Sequence, residues 1–219
     1  MLIPKVIHQV WDGPMVPGIQ ECLDSVKRVM PDYDVVVHSG ADMDELVPDQ
    51  FSTVERSNRF RNQVLHQHGG WWIDADCYAL RPLNSDQPYS FGKQEMRTWS
   101  NCHSPMVADW AFGSEAGNPV FPRIVRRLGT DRVHRRSSNG SSASFASMPP
   151  LGQHMAKVLG GGKLEPYHVY GSRRFSYRSP SKLIPKNASL VHLFLGSWYD
   201  GGWRNGVLDK VKEVERWTI

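Results

Sequence analysis

Apolar and polar positions fall into blocks along the first half of the chain, and the blocks change period from one to the next. Val6-Ile7-His8-Gln9-Val10-Trp11 is a short, mostly apolar run closed by Asp12-Gly13-Pro14, which predicts a buried strand followed by a turn. Pro17 then opens a stretch in which Ile19, Cys22, Leu23, Val26 and Met30 recur at helical spacing until Pro31 stops it. Tyr33-Asp34-Val35-Val36-Val37-His38 is β-branched and predicts a second strand. A β-α-β start of this kind predicts an α/β, Rossmann-related fold, with a mostly parallel sheet flanked by helices. A turn of helix is predicted around Met43 to Val47, and a longer helix from Thr53 to Gln67. Gly69-Gly70 ends that helix, and Trp71 to Ile73 forms a third strand.

Further along, the periodicity weakens. Met106 to Phe112 predicts a strand and Pro119 to Leu128 a helix. Arg135 to Ser147 is polar and built of small residues, which predicts a mobile stretch. Gly152 to Leu159 reads as a short helix, Ser189 to Leu195 as a late strand, and Val207 to Trp217 as a C-terminal surface helix. The absence of repeats or a clear linker across 219 residues predicts one domain spanning 1–219.

Composition narrows the setting. A hydrophobic fraction of 40% and a charged fraction of 22% are ordinary for a soluble globular protein. No apolar run approaches the roughly 18 to 20 residues that span a bilayer, and Met1-Leu2-Ile3-Pro4-Lys5 does not read as a secretory leader. Cys22, Cys77 and Cys102 are odd in number and spaced like neither a zinc site nor a disulfide framework. A reducing, cytoplasmic setting is therefore expected. The net charge of +4 is uneven: Arg123 to Arg178 holds eleven Lys/Arg against two acids, a local +9, while the rest of the chain sums to −5. Such a segment suits a polyanionic partner such as nucleic acid, an anionic glycan or a phospholipid surface; a merely solvated basic face is the plain alternative.

The chemistry concentrates in His68-Gly69-Gly70-Trp71-Trp72-Ile73-Asp74-Ala75-Asp76. Two carboxylates one residue apart follow a short strand, at the end where α/β sheets collect ligands. One can hold a hard divalent cation while the other orients its water or a sugar hydroxyl. Mg²⁺ or Mn²⁺ bound by only one or two carboxylates fills its remaining positions with water and phosphate oxygens. The pattern thus points to a metal-bound diphosphate and a nucleotide-sugar. Solvated turn carboxylates are the bland reading of the same three residues.

Four segments in order sharpen this. They are Ile3-Pro4-Lys5-Val6-Ile7-His8-Gln9-Val10-Trp11; Ser57-Asn58-Arg59-Phe60-Arg61 with the Gly-Gly-Trp-Trp-Ile-Asp-Ala-Asp run; Phe112-Gly113-Ser114-Glu115-Ala116-Gly117-Asn118-Pro119; and His192-Leu193-Phe194-Leu195-Gly196-Ser197-Trp198. Over roughly residues 3 to 200 they resemble the DXD-containing glycosyltransferases of the sugar-binding-region type. That group includes fungal α-mannosyltransferases, bacterial capsular-polysaccharide transferases and, more distantly, the large clostridial glucosylating toxins. The resemblance implies a GT-A-like fold, a Mn²⁺ or Mg²⁺ cofactor and a UDP- or GDP-hexose donor. It implies nucleotide-sugar and metal binding in about 1–105, and the acceptor side and site closure in about 106–219.

The resemblance also assigns residues. Val10 and Trp11 would contact the nucleotide, Trp11 near the base; otherwise Trp11 is a core aromatic at a strand end. Asn58 stands where relatives carry Asp, and Arg61, on the same helical face, would pair with diphosphate or sugar oxygens. Asp74 matches the residue that binds ribose and sugar hydroxyls and supports the metal, and Asp76 the direct metal ligand. Trp72 would shape the donor pocket or simply fill a buried strand position. His192 lies where a further metal ligand often stands, against a satisfied structural histidine. Ser197 and Trp198 match residues that cover the leaving diphosphate, and Asp109 replaces a frequent Asn that meets the acceptor or the sugar. Pro149-Pro150-Leu151-Gly152 departs from the Thr-Gly-Pro of many relatives. The implied reaction is hexose transfer to a hydroxyl, with retention, on a glycan or lipid-linked saccharide. DNA carrying a hydroxymethylated base is the alternative acceptor, suggested by Arg126-Arg127, Arg135-Arg136 and Arg173-Arg174 beside Phe175 and Tyr177. A non-catalytic nucleotide-sugar-binding protein is the second alternative.

Overall fold

The computed structural model describes residues 2–47, 53–94, 106–130, 169–171 and 188–193. The first strand, β1 (Val6–Val10), leads to helix α1 (Pro17–Val29), which has Pro17 at its first position. Strand β2 (Asp34–His38) follows, then the short helix α2 (Gly40–Leu46). Ser39 and Asp42 close a reciprocal capping box at the start of α2. Helix α3 (Thr53–His68) leads into strand β3 (Gly70–Ile73). Next come β4 (Cys77–Ala79), β5 (Tyr89–Gln94), β6 (Met106–Ser114) and α4 (Val120–Thr130), then β7 (Val169–Gly171) and β8 (Leu190–His192).

Among the described residues, five strands form the main sheet in the order β2-β1-β3-β6-β5. β2 and β3 both run parallel to β1, whereas β6 is antiparallel to β3 and to β5. Four strands therefore share one direction, with β6 reversed among them, so the sheet is mostly parallel as the β-α-β pattern predicts. The reversal and the strand β5 had no signal in the sequence. Nor did the second sheet, in which β8 pairs antiparallel with β4 and parallel with β7. The late strand is shorter than Ser189–Leu195: its described part is Leu190–His192. The predicted segments at 135–147, 152–159 and 207–217 lie outside the described residues.

Both faces of the main sheet are covered, which is why its central strands are continuous apolar runs rather than alternating ones. On one face, Phe60, Val64 and Leu65 of α3 and Val120, Phe121 and Ile124 of α4 pack on Trp72 and Phe112. On the other, Val26 of α1 and Met30 meet Ile7, Trp71 and Ile73. Alternation along β3 thus sends the two neighbouring tryptophans into different cores. Among the described strands β2 lies at the sheet edge, and Val36 and Val37 stay exposed there despite their β-branched pattern.

Chain path and sheet order together locate the ligand end. From β1 the chain moves through α1 to β2 on one side. It returns over the opposite face through α3 to β3, on the other side of β1. That reversal makes a topological switch point between β1 and β3, where open α/β sheets bind ligands at the strands' carboxyl ends. Trp11 follows β1 there, and Asp74 and Asp76 follow β3.

Candidate active site

The turn from α3 into β3 dictates what reaches this end. Gly69 and Gly70 have φ of 66° and 97°, and a Cβ on Gly70 would lie 2.6 Å from the Val6 carbonyl oxygen. Only glycine accepts both the left-handed backbone and that approach. Beyond β3, the Asp74 amide donates to the Trp110 carbonyl (2.8 Å) and the Cys77 amide to the Asp74 carbonyl (3.0 Å), folding Asp74 to Cys77 into a tight turn.

The two carboxylates diverge across that turn. Asp74 Oδ1 accepts the Trp72 indole N–H at 2.7 Å and faces Arg61 Nη1 at 3.7 Å. Arg61 lies with its guanidinium carbon 5.3 Å from the Trp72 ring centroid, a cation-π arrangement. It also reaches Ser57, one helical turn earlier, through Nε and Nη2 at 3.4 and 3.5 Å. Asp76 turns the other way: its Oδ1 is 3.0 Å from His192 Nε2, and its carbonyl accepts the Leu193 amide at 3.0 Å. Two residues apart in sequence, Asp74 faces an arginine and Asp76 an imidazole from 116 residues downstream.

Trp72 is fully buried, so it is both a core residue and the indole donor that orients Asp74. Trp71 differs: its indole N–H goes to Ser85 Oγ at 2.9 Å. Arg61 and Asn58 are both buried, three residues apart on α3, and the Asn58 carbonyl accepts Asn62 Nδ2 at 2.6 Å. Trp11 is half-buried against Ile19, Leu23 and Ala75, the residue between the two aspartates, and donates to the Pro14 carbonyl at 3.3 Å. Val10 packs at the margin of the α3-side core. Asp109 lies on β6 beside Trp110, with its side chain outside the described residues, as are Ser197 and Trp198 entirely.

Two participants carried no recognised signal. The Trp110 ring stacks on His192, centroids 4.6 Å apart at 25°. Its indole nitrogen is buried, with no partner among the described residues. Cys77, set aside from any zinc site by its sequence spacing, pairs with His192 across the β4–β8 ladder. Asp76, Cys77 and His192 offer ligand atoms that all lie within 4.8 Å of one another. The one available hint was that Cys77 directly follows Asp76. Burial pushes the Cys77 thiol well above its usual range, with Asp76 and Asp74 adding to the effect, so it is a neutral thiol at pH 7 without a cation. The oxygen, nitrogen and sulfur donors fit a divalent cation; Asp74 is not among them.

Comparison with known proteins matches this architecture. The chain superposes on a glycosyltransferase involved in glycosylation of the major capsid of PBCV-1, with a TM-score of 0.55, 11% identity and coverage of 96% of this chain and 98% of the other. It superposes on the PaToxG glycosyltransferase with a TM-score of 0.53, 15% identity and coverage of 73% and 71%. The shared fold is of the GT-A type. In sequence the chain is 26% identical to inositol phosphoceramide mannosyltransferase 2 of Schizosaccharomyces pombe, over 58% of its own length. It spans 39% of that relative. No family model matches it. Among the described residues, no helix is long and apolar enough to cross a membrane.

Proposed function

We propose that this chain is a metal-dependent glycosyltransferase that moves a hexose from a UDP- or GDP-hexose to a hydroxyl, with retention of configuration. The observation that carries the reading is the divergence of Asp74 and Asp76 at the β1/β3 switch point, one toward Arg61 and the other toward His192. Transfer breaks the bond between the anomeric carbon and the β-phosphate oxygen, and negative charge grows on the departing diphosphate. Arg61 supplies a fixed cation beside that group, with Asp74 and the Trp72 ring holding its plane. Asp74, oriented by the Trp72 indole, accepts hydrogen bonds from ribose and sugar hydroxyls. Trp11 stacks near the base. Asp76 and His192 would hold a Mn²⁺- or Mg²⁺-type ion, which supplies charge neutralisation at the diphosphate when bound. The acceptor oxygen bonds to the anomeric carbon on the face the diphosphate leaves and its proton passes to the departing β-phosphate oxygen, so this front-face displacement needs no enzyme nucleophile and no base on the opposite face. Asp109, Ser197 and Trp198 are assigned to the acceptor and the leaving group by resemblance.

The acceptor class favoured is a glycan or lipid-linked saccharide, in keeping with the glycosyltransferase and mannosyltransferase names of the similar proteins. The +9 segment from Arg123 to Arg178 supports a polyanionic acceptor, and DNA with a hydroxymethylated base is the second reading. A panel of UDP- and GDP-hexoses, read by metal-dependent release of nucleoside diphosphate, tests the activity. One donor should be turned over, and Asp76→Ala should abolish that turnover. A chain that binds a donor without hydrolysis or transfer is a binding protein, and the proposal fails. Duplex DNA titrated at two salt concentrations separates the acceptors: strongly salt-dependent binding favours DNA, and none excludes it.

A further inference from the structure

Cys77 has no part in the reaction above, yet it is the residue in register with His192 on the neighbouring strand. Residues directly opposite in an antiparallel ladder present their side chains on one face, so thiol and imidazole stand side by side. Asp76 joins them from the preceding turn. Its backbone is fixed by the Leu193 amide on its carbonyl, and Cys77 by the Asp74 carbonyl on its amide. Trp110 lies flat on the imidazole and limits its rotation. A buried cysteine is ordinarily a small hydrophobe, and Cys77 does pack beside Trp110 and Leu190. Here, however, the sulfur also lies within 4.8 Å of a carboxylate oxygen and an imidazole nitrogen, held by backbone bonds on two sides.

We infer that Asp76, Cys77 and His192 form a three-donor cation site that selects a thiophilic divalent ion of the Zn²⁺ class over Mg²⁺. This rests on the reading of Asp76 and His192 as the cation-holding end of the donor site, and with Cys77 counted as a donor it replaces the Mg²⁺-type ion assigned there with a thiophilic one. Mg²⁺ demands octahedral oxygen ligands and keeps its waters, whereas sulfur and imidazole donors favour Zn²⁺ and Co²⁺. Three protein ligands on a tetrahedral ion leave one position open, which suits a site where an oxygen of the substrate must enter. Binding releases the thiol proton to solvent.

The test uses the full chain, stripped with chelator and loaded with Co²⁺. A thiolate-to-cobalt charge-transfer absorption is expected in the wild type and in the Cys22→Ala control, and is expected to vanish in Cys77→Ser. Zn²⁺ should displace Co²⁺ where a large excess of Mg²⁺ does not. Cys77→Ser should weaken Zn²⁺ by more than the roughly 10- to 100-fold cost of losing an outer-shell partner. A wild-type cobalt spectrum without the thiolate band overturns the inference, as does a band that persists in Cys77→Ser. If Cys77→Ser does not fold, the wild-type spectrum and the Zn²⁺/Mg²⁺ competition decide. Nucleotide-sugar turnover is scored separately. Turnover without a thiolate band removes this inference alone, whereas a thiolate band in a protein that turns over no nucleotide-sugar removes the functional reading alone.

Discussion

Acidification should loosen this protein through His8, and the size of the effect follows from its burial beside a second imidazole. His8 is buried on β1, with Nε2 at 3.1 Å from the Gly69 carbonyl oxygen and Nδ1 at 3.1 Å from His38 Nε2. A carbonyl oxygen only accepts, so Nε2 carries the hydrogen and Nδ1 accepts from His38. A second proton on His8 would have to go on Nδ1, where it faces the His38 N–H inside the protein. Burial first, and then the neighbouring imidazole of His38, hold the His8 pKa at about 4 against an ordinary 6.5. Between those values the unfolded chain binds the proton and the folded chain does not. Stability is therefore complete above about pH 6.5 and falls as pH drops toward 4. At 1.36 kcal/mol per unit, His8 alone removes about 2 kcal/mol at pH 5 and about 3 kcal/mol at pH 4. His38, whose pKa burial also lowers, adds in the same direction. The affected bond is the one from His38 Nε2 to His8 Nδ1, which ties the end of β2 to β1, while the bond to the Gly69 carbonyl persists in either state. Denaturant midpoints from pH 7.5 to 4.5 on the wild type and His8→Gln measure this, because glutamine can still donate to Gly69 but does not titrate. The wild type should lose about 2 kcal/mol more than the variant on going from pH 7.5 to 5. A gap between the two proteins that does not change with pH would refute the reasoning.

Three further outcomes can be checked. Trp72→Phe keeps most of the buried ring but deletes the indole donor to Asp74. It should cost about 1 to 2 kcal/mol of stability in thermal melts and lower donor affinity in calorimetry, and unchanged donor affinity would detach Asp74 from the site. Gly113→Ala would push a methyl to 2.7 Å from the Trp71 ring across the β3–β6 pairing, so about 1 to 3 kcal/mol should be lost in urea unfolding. Ser25→Ala removes a hydroxyl that donates to the Cys22 carbonyl and accepts the buried Ala79 amide. It should lose about 1 to 3 kcal/mol, and hydrogen exchange at Ala79 should accelerate if that bond ties α1 to β4.

The elements with strong local signals were legible from one sequence because their causes are local. Pro17 starting α1, the glycine pair ending α3, and the β-branched run of β2 each act within a few residues. Strands β4, β5 and β7 were not legible, because three to six residues paired across long intervals leave little period to read. The direction of β6 was also hidden: Met106–Ser114 carries a strand pattern whichever way it runs, and pairing with β3 and β5 decides. Spacing on α3 placed Asn58 and Arg61 on one face, but it could not say that Arg61 lies over Trp72 and faces Asp74.

By itself, then, the sequence determined a β-α-β frame and two aspartates at the end of a strand, since strand, turn and helix are written in neighbouring residues. Resemblance gave the two aspartates different roles, Asp76 on the metal and Asp74 on the sugar, but only the tertiary structure decided what each carboxylate meets. Whether a carboxylate meets an arginine or an imidazole depends on chains brought together from far apart, and here β8 carries His192 to Asp76 and sets Cys77 beside it. The spacing of the cysteines along the chain matched no zinc site, and the sheet register put one of them within reach of two ligands. Separation along the chain does not fix separation in space once strands pair across more than a hundred residues.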